Sequence, residues 1–95
     1  MRFENKVAIV TAAANGIGKA TAKILAREGA RLVAVDINPD ALANLTKEIE
    51  KEGGNINPFE TNVLEDDQVQ ELVDSVVGRF NKIDILVNAV GGSSI

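Results

Sequence analysis

The 95-residue sequence contains no cysteine, no histidine, no tyrosine and no tryptophan. Without cysteine there is neither a disulfide framework nor a thiolate nucleophile. Without histidine, imidazole-based triads and the usual nitrogen–sulfur zinc sites are excluded. No phenolic hydroxyl is available as an acid or base, so proton transfer would fall to carboxylates and lysines alone. No apolar run approaches the ~20 residues that span a bilayer. The opening Met1–Lys6 has no hydrophobic segment behind Arg2, so no secretory signal is expected. A cytoplasmic protein without membrane contact is the expectation. Bases are outnumbered as well, 10 against 14 acids for a net charge of −4. Lys19, Lys23 and Arg27 follow helical spacing, but there is no basic stripe of the kind nucleic acid would need.

What is present is ordinary for a small globular domain: 45% apolar and 25% charged residues. Val7–Val10, Leu32–Val35 and Ile83–Val87 are short apolar runs rich in β-branched residues. Such runs read as strands buried on both faces, hence as parallel sheet. A weaker strand covers Pro58–Val63, beginning near Ile56, with a proline that suits an edge or a strand start. Three helical patterns alternate with these strands. The first runs from Gly16 to Glu28, with Ile17, Ala20, Ile24 and Leu25 on one side and Gly29 as its stop. The second opens on Asn38 as N-cap with Pro39 and Asp40 in its first turn, buries Leu42, Leu45 and Ile49, and ends at Gly53-Gly54. The third spans Asp66–Phe80 and carries Val69, Leu72, Val73, Val76, Val77 and Phe80 on one stripe, with Asn81 as a left-handed stop. The order β-α-β-α-β-α-β specifies a parallel α/β sheet with right-handed crossovers.

The stretch Thr11–Gly18, "TAAANGIG", follows the first strand and opens the first helix. Binding a diphosphate there requires outward-pointing backbone N–H groups, no obstructing Cβ and a helix N-terminus behind them. Gly16 lets backbone approach a pyrophosphate, and Gly18 lets the helix pack close to the strand. Asp36 ends the second strand, near the roughly 20-residue spacing at which a dinucleotide fingerprint places an acid for the adenosine ribose. A carboxylate at that place also repels a 2′-phosphate.

"TAAANGIG", "VAVDIN", "TNV" and "ILVNAVGG", in this order and spacing, resemble the short-chain dehydrogenase/reductase family over essentially the whole chain. The resemblance implies half of a Rossmann-type doubly wound sheet with strand order 3-2-1-4, the first two helices on one face and the third on the other. Residues 1–95 then read as one incomplete dinucleotide-binding domain, corresponding to the N-terminal portion of a family member. The family glycine motif has Gly where this chain has Ala12, so an ordinary negative φ is expected at Ala12. Thr11, Asn15, Gly16, Ile17 and Gly18 are implied as cofactor contacts, with Asp36 and Ile37 beside the ribose. Asn62-Val63 matches the Asp-Val pair that holds the adenine edge, an Asn amide keeping an acceptor oxygen but losing the charge. Asn88, Ala89 and Gly91 match the segment after the fourth strand that lies along the nucleotide ribose. Members that prefer NADP tend to carry a base inside the glycine turn or after the second strand. Here those places hold Asn15 and Ile37, so NAD is the expected cofactor.

Family chemistry is hydride transfer between nicotinamide and a carbonyl or alcohol, through a Ser-Tyr-Lys set that lies beyond the fourth strand. This chain has no tyrosine, so no catalytic residue is assigned and the chain alone is expected to be inactive. Ser93 and Ser94 have no partner for catalysis, and Asp66-Asp67 reads as an acidic first helical turn instead of a metal site. A fourth strand lacking a neighbour would be an apolar edge, and self-association through it is expected. The alternatives are a non-catalytic nucleotide-binding module and a self-assembling Rossmann fragment. A methyltransferase sheet also has a glycine turn and an acid, but "NAVGG" has no counterpart there.

Overall fold

The computed structural model describes residues 2–89. Val7–Thr11 (β1) is wholly buried, as its unbroken apolar run requires, and Arg31–Asp36 (β2) lies beside it in parallel. Asn55–Glu60 (β3) pairs with β2, and Ile85–Asn88 (β4) pairs with β1, giving the parallel order β3-β2-β1-β4. Gly16–Arg27 (α1), Pro39–Lys51 (α2) and Asp66–Phe80 (α3) make the crossovers.

The two sheet faces have separate cores. Ala8, Val10, Leu32 and Ala34 meet Ala22, Leu25 and Ala26 of α1 and Leu42, Leu45 and Ile49 of α2. Val7, Ile9, Val33 and Val35 project to the other face, against Leu72 and Val76 of α3. Alternate residues of one strand therefore feed opposite cores, which is why both faces of β1 and β2 must be apolar.

Local signals end the helices as their residues dictate. The Asn38 side chain accepts from the Ala41 N–H at 3.1 Å and caps α2 behind Pro39. Gly29, at φ 92, closes α1 by donating to Ala26, while Ala30 donates to Leu25. Gly53, at φ 83, repeats this arrangement at the end of α2 with Gly54 and Ile49. Asn81, at φ 64, ends α3.

Four expectations are corrected. In α1 the inward stripe is Gly18, Ala22, Leu25 and Ala26, whereas Ile17 and Ile24 are exposed. At Gly18 the helix leaves no room for a side chain against the Ala12 backbone, so the face that carries Gly18, Ala22, Leu25 and Ala26 turns inward and the isoleucines face out. In α3 only Leu72 and Val76 are fully buried, and Val77 is 43% exposed. β3 begins at Asn55, within a residue of the expected start near Ile56, but ends at Glu60, three residues before Val63, because pairing of Arg31 with Asn55 through Asp36 with Glu60 sets its register. Asn62 and Val63 therefore lie past the strand, and Pro58 sits inside an edge strand. Finally, Ala12 has φ 51, left-handed where a negative value was expected.

Candidate functional site

All four strands run the same way, so Thr11, Asp36, Glu60 and Asn88 close the sheet at one rim. In open parallel sheets ligands bind outside the carboxyl ends, where the strand order reverses. Here the reversal lies between β2 and β4, on either side of β1. The turn Ala12–Asn15 leaves β1 at that place.

The turn is shaped by two left-handed residues, Ala12 and Gly16 at φ 51 and 52. Ala13 donates to the Val35 carbonyl at 3.0 Å, which draws the turn across the end of β2. Asn15 precedes α1 in extended backbone and its side chain makes no capping bond. The first intrahelical bond runs from Lys19 N–H to Asn15 C=O at 3.1 Å. The amides of Gly16, Ile17 and Gly18 therefore belong to the first turn, whose donors a helix does not satisfy internally. A Cβ on Gly16 would meet nothing within 4 Å, so that side of the turn is open. A Cβ on Gly18 would run into the Ala12 carbonyl, with the Ala12 carbonyl carbon at 2.8 Å and the Thr11 oxygen at 3.2 Å. Gly18 is therefore needed for packing, and Gly16 for backbone conformation and access. Both fit a diphosphate at the helix start.

Asp36 is half-buried, and its carboxylate accepts from two backbone amides. Oδ2 takes the Ala14 N–H at 3.1 Å and Oδ1 the Asn38 N–H at 2.9 Å. A cavity of about 180 Å³ opens beside it, lined by Ala12, Val35, Asp36, Ile37, Thr61, Asn62, Val63 and Leu64. The fold thus brings Asp36, Ile37, Asn62 and Val63 to one hollow next to the glycine turn. Asn62 is held in a turn of its own: its N–H donates to Gln68 Oε1 at 2.8 Å, and its Oδ1 accepts from Leu64 N–H at 3.0 Å. One lone pair of that amide oxygen is already engaged.

On the other side of β1, the Thr11 hydroxyl donates to Asn88 Oδ1 at 3.0 Å and accepts from Ala89 N–H at 3.0 Å. Thr11 is buried, so its role in this structure is to tie the ends of β1 and β4 together. Ile17 is 76% exposed and stands at the rim beside the turn. Gly91 lies outside the described residues, as do Ser93 and Ser94. Two contributors were missed. Ala14 supplies the amide that Asp36 binds, and Leu64, 80% exposed, lines the cavity wall. An alanine amide carries no sequence signal. Leu64 follows Val63 and reads as a continuing apolar strand until the register of β3 is known.

Comparison with known proteins agrees with this geometry. Residues 6–95 match the family model for short chain dehydrogenase. A 3-oxoacyl-acyl-carrier-protein reductase from Thermotoga maritima is 46% identical over 91 residues, covering 96% of this chain and 37% of that protein. A 7α-hydroxysteroid dehydrogenase solved with NADH and 7-oxo glycochenodeoxycholic acid superposes with a TM-score of 0.87 at 37% identity, over 92% of this chain and 34% of the other. A metagenomic short-chain oxidoreductase in complex with NADP gives a TM-score of 0.87 at 28% identity, over 90% of this chain and 39% of the other. The chain therefore spans little more than a third of the length of the proteins it matches. With the family model matched across nearly every residue and the sheet order reproduced, this chain belongs to the short chain dehydrogenase family.

Proposed function

We propose that this chain is the dinucleotide-binding portion of an NAD-dependent oxidoreductase that transfers hydride to or from a carbonyl or alcohol. One observation carries the reading: the Asp36 carboxylate is fixed at the lip of a hollow beside the glycine turn by the Ala14 and Asn38 amides. The chemistry the cofactor supplies when bound is acceptance or return of a hydride. The chain's own residues bind and orient it. Amides of Gly16, Ile17 and Gly18 face the diphosphate, Asp36 accepts from the adenosine ribose, and Ile37, Asn62 and Val63 enclose the adenine. Thr11, Asn88 and Ala89 shape the rim on the side of the second ribose.

NAD is preferred over NADP in this reading. A 2′-phosphate would be brought against the Asp36 carboxylate, and neither Asn15 nor Ile37 offers a compensating cation. Relatives are known bound to either cofactor, so the preference rests on these side chains. No tyrosine is present to move a proton to the substrate, so the 95-residue chain by itself binds cofactor without turning over.

Calorimetric titration with NAD, NADP and S-adenosylmethionine tests the reading. NAD binding that is weakened in Asp36→Ala and Gly16→Val supports it. Binding of S-adenosylmethionine alone, or of none of the three, overturns it.

A second reading concerns assembly. Among the described residues β4 is an edge strand, and Leu86 on it is 65% exposed. A hollow of about 380 Å³ runs between β4 and α3, with Ile9, Val69, Leu72, Val73, Ile83 and Leu86 in its walls. The opposite edge contains Pro58, which lacks a ladder donor. Self-association is therefore expected through β4 and not through β3.

A further inference from the structure

We propose that Asp36 is a positioning residue for the diphosphate: its carboxylate latches the glycine turn, so that the ribose and diphosphate sites are coupled. The inference rests on the nucleotide-binding reading above. Asp36 touches three separate loops. Its side chain accepts from Ala14 in the turn after β1 and from Asn38 at the head of α2, and its main-chain carbonyl accepts from Thr61 at 3.0 Å. The turn itself is poorly supported from within. Ala12 is left-handed without being glycine, and Asn15 makes no side-chain cap to α1. Asn15 C=O is tied to α1 by Lys19 N–H, and the ties on Ala13 and Ala14 come from β2, as Ala13 N–H to Val35 C=O and Ala14 N–H to Asp36 Oδ2.

A carboxylate has about four acceptor sites and no donor. Two are taken by the backbone amides, one on each oxygen, which leaves one on each oxygen for the paired hydroxyls of a ribose. A sugar bound there stiffens the same carboxylate that holds the turn, and coupling between two sites is reciprocal. Asparagine is the informative replacement. It is nearly the same shape, but its one carbonyl oxygen can serve only one of the two amides, and its NH2 would face an N–H donor.

The test compares the 95-residue chain with its Asp36→Asn variant in two measurements. Amide hydrogen exchange of Ala14 is followed by NMR without ligand, with Val10 in β1 as the reference for an intact fold. Affinities for ADP and 2′,3′-dideoxy-ADP are measured by calorimetry. In the variant, Ala14 exchange rises about tenfold while Val10 is unchanged, as loss of a bond to a charged acceptor predicts. The dideoxy nucleotide has no ribose hydroxyl for Asp36 to hold, yet its affinity also falls about tenfold. Removing a negative charge by itself favours a diphosphate, so such a loss must come through the turn. Equal affinity of both proteins for the dideoxy nucleotide overturns the proposal whatever the exchange rates. If the unmodified chain binds neither nucleotide, the nucleotide-binding reading fails separately, and unchanged Ala14 exchange then rejects the latch.

Discussion

The backbone of Ala12 occupies the space that a side chain on Gly18 would need: a Cβ there would overlap the Ala12 carbonyl, with no flexible side chain available to yield. The turn and the first helix are thus interlocked through two backbones, and one of the partners, Ala12, is itself left-handed at φ 51.

Gly18→Ala is expected to destabilise the fold by about 2 kcal/mol or more, the usual cost of overpacking where the neighbour is main chain. Gly16→Ala, at φ 52 with open space around it, is expected to cost about 1 kcal/mol from the left-handed backbone alone. Urea unfolding of the two variants checks the order. Equal costs would mean that α1 does not press on the turn.

Ala12→Gly is expected to stabilise. Relief of a left-handed alanine is worth about 1–2 kcal/mol, and the added freedom of the unfolded chain returns about 0.4–1 kcal/mol of it. A net gain of roughly 0.5 kcal/mol follows. A lower thermal midpoint in this variant would contradict the conformation at Ala12.

Cofactor choice is expected to move with the residues beside the ribose. Asp36→Ser with Ile37→Arg removes the charge that repels a 2′-phosphate and adds a guanidinium that can pair with one. NADP affinity is expected to rise at least about tenfold relative to NAD, read by calorimetry. An unchanged ratio would remove the 2′-position from the neighbourhood of Asp36.

Acid sensitivity is expected from the opposite end of the sheet. Asp84 accepts from Val7 N–H at 2.8 Å and pairs with Lys82 at 3.1 Å. The Val7 amide first, and Lys82 second, hold its carboxyl below the usual aspartate value. Lys23 and then Lys19 do the same for Glu48, with oxygens at 2.8 and 3.3 Å. A carboxylate depressed in the folded state contributes stability that is complete above its unfolded pKa, about 4 for these groups. That contribution is lost as pH falls through the lower folded-state pKa. The stability difference between the unmodified chain and Asp84→Ala should therefore shrink as unfolding is measured from pH 6 towards pH 3. A difference that grows on acidification would reverse the assignment.

Light scattering at micromolar concentration tests the edge. Leu86→Lys places a charge on exposed β4, where lysine is a common guard against strand pairing. The unmodified chain is expected to associate and the variant to be monomeric. A monodisperse monomer for both would end the reading of β4 as an interface.

Much of this was legible without coordinates. The apolar runs at Val7–Val10 and Leu32–Val35, the Asn38-Pro39 helix start and the full extent of Asp66–Phe80 depend on neighbours in sequence, and each is found within a residue of its expected place. The spacing of Gly16, Gly18 and Asp36 likewise marked residues that the fold gathers at one rim. The details that position the site were not legible, because they depend on distances between elements. The close approach of α1 to the turn at Gly18, a distance between elements, set which face of the helix turns inward and left Ile17 and Ile24 outside. Pairing with β2, not the apolar run, set the end of β3 and so moved Asn62 and Val63 off the strand. The bond from Ala14 to Asp36 joins residues from different crossovers, and no local pattern encodes it. Sequence by itself determined which elements form and which residue types stand at the ends of the strands, since both follow from short-range propensity and residue type. Tertiary structure alone decided that the Ala14 amide meets the Asp36 carboxylate and which way the turn faces, since those depend on how closely separate segments pack.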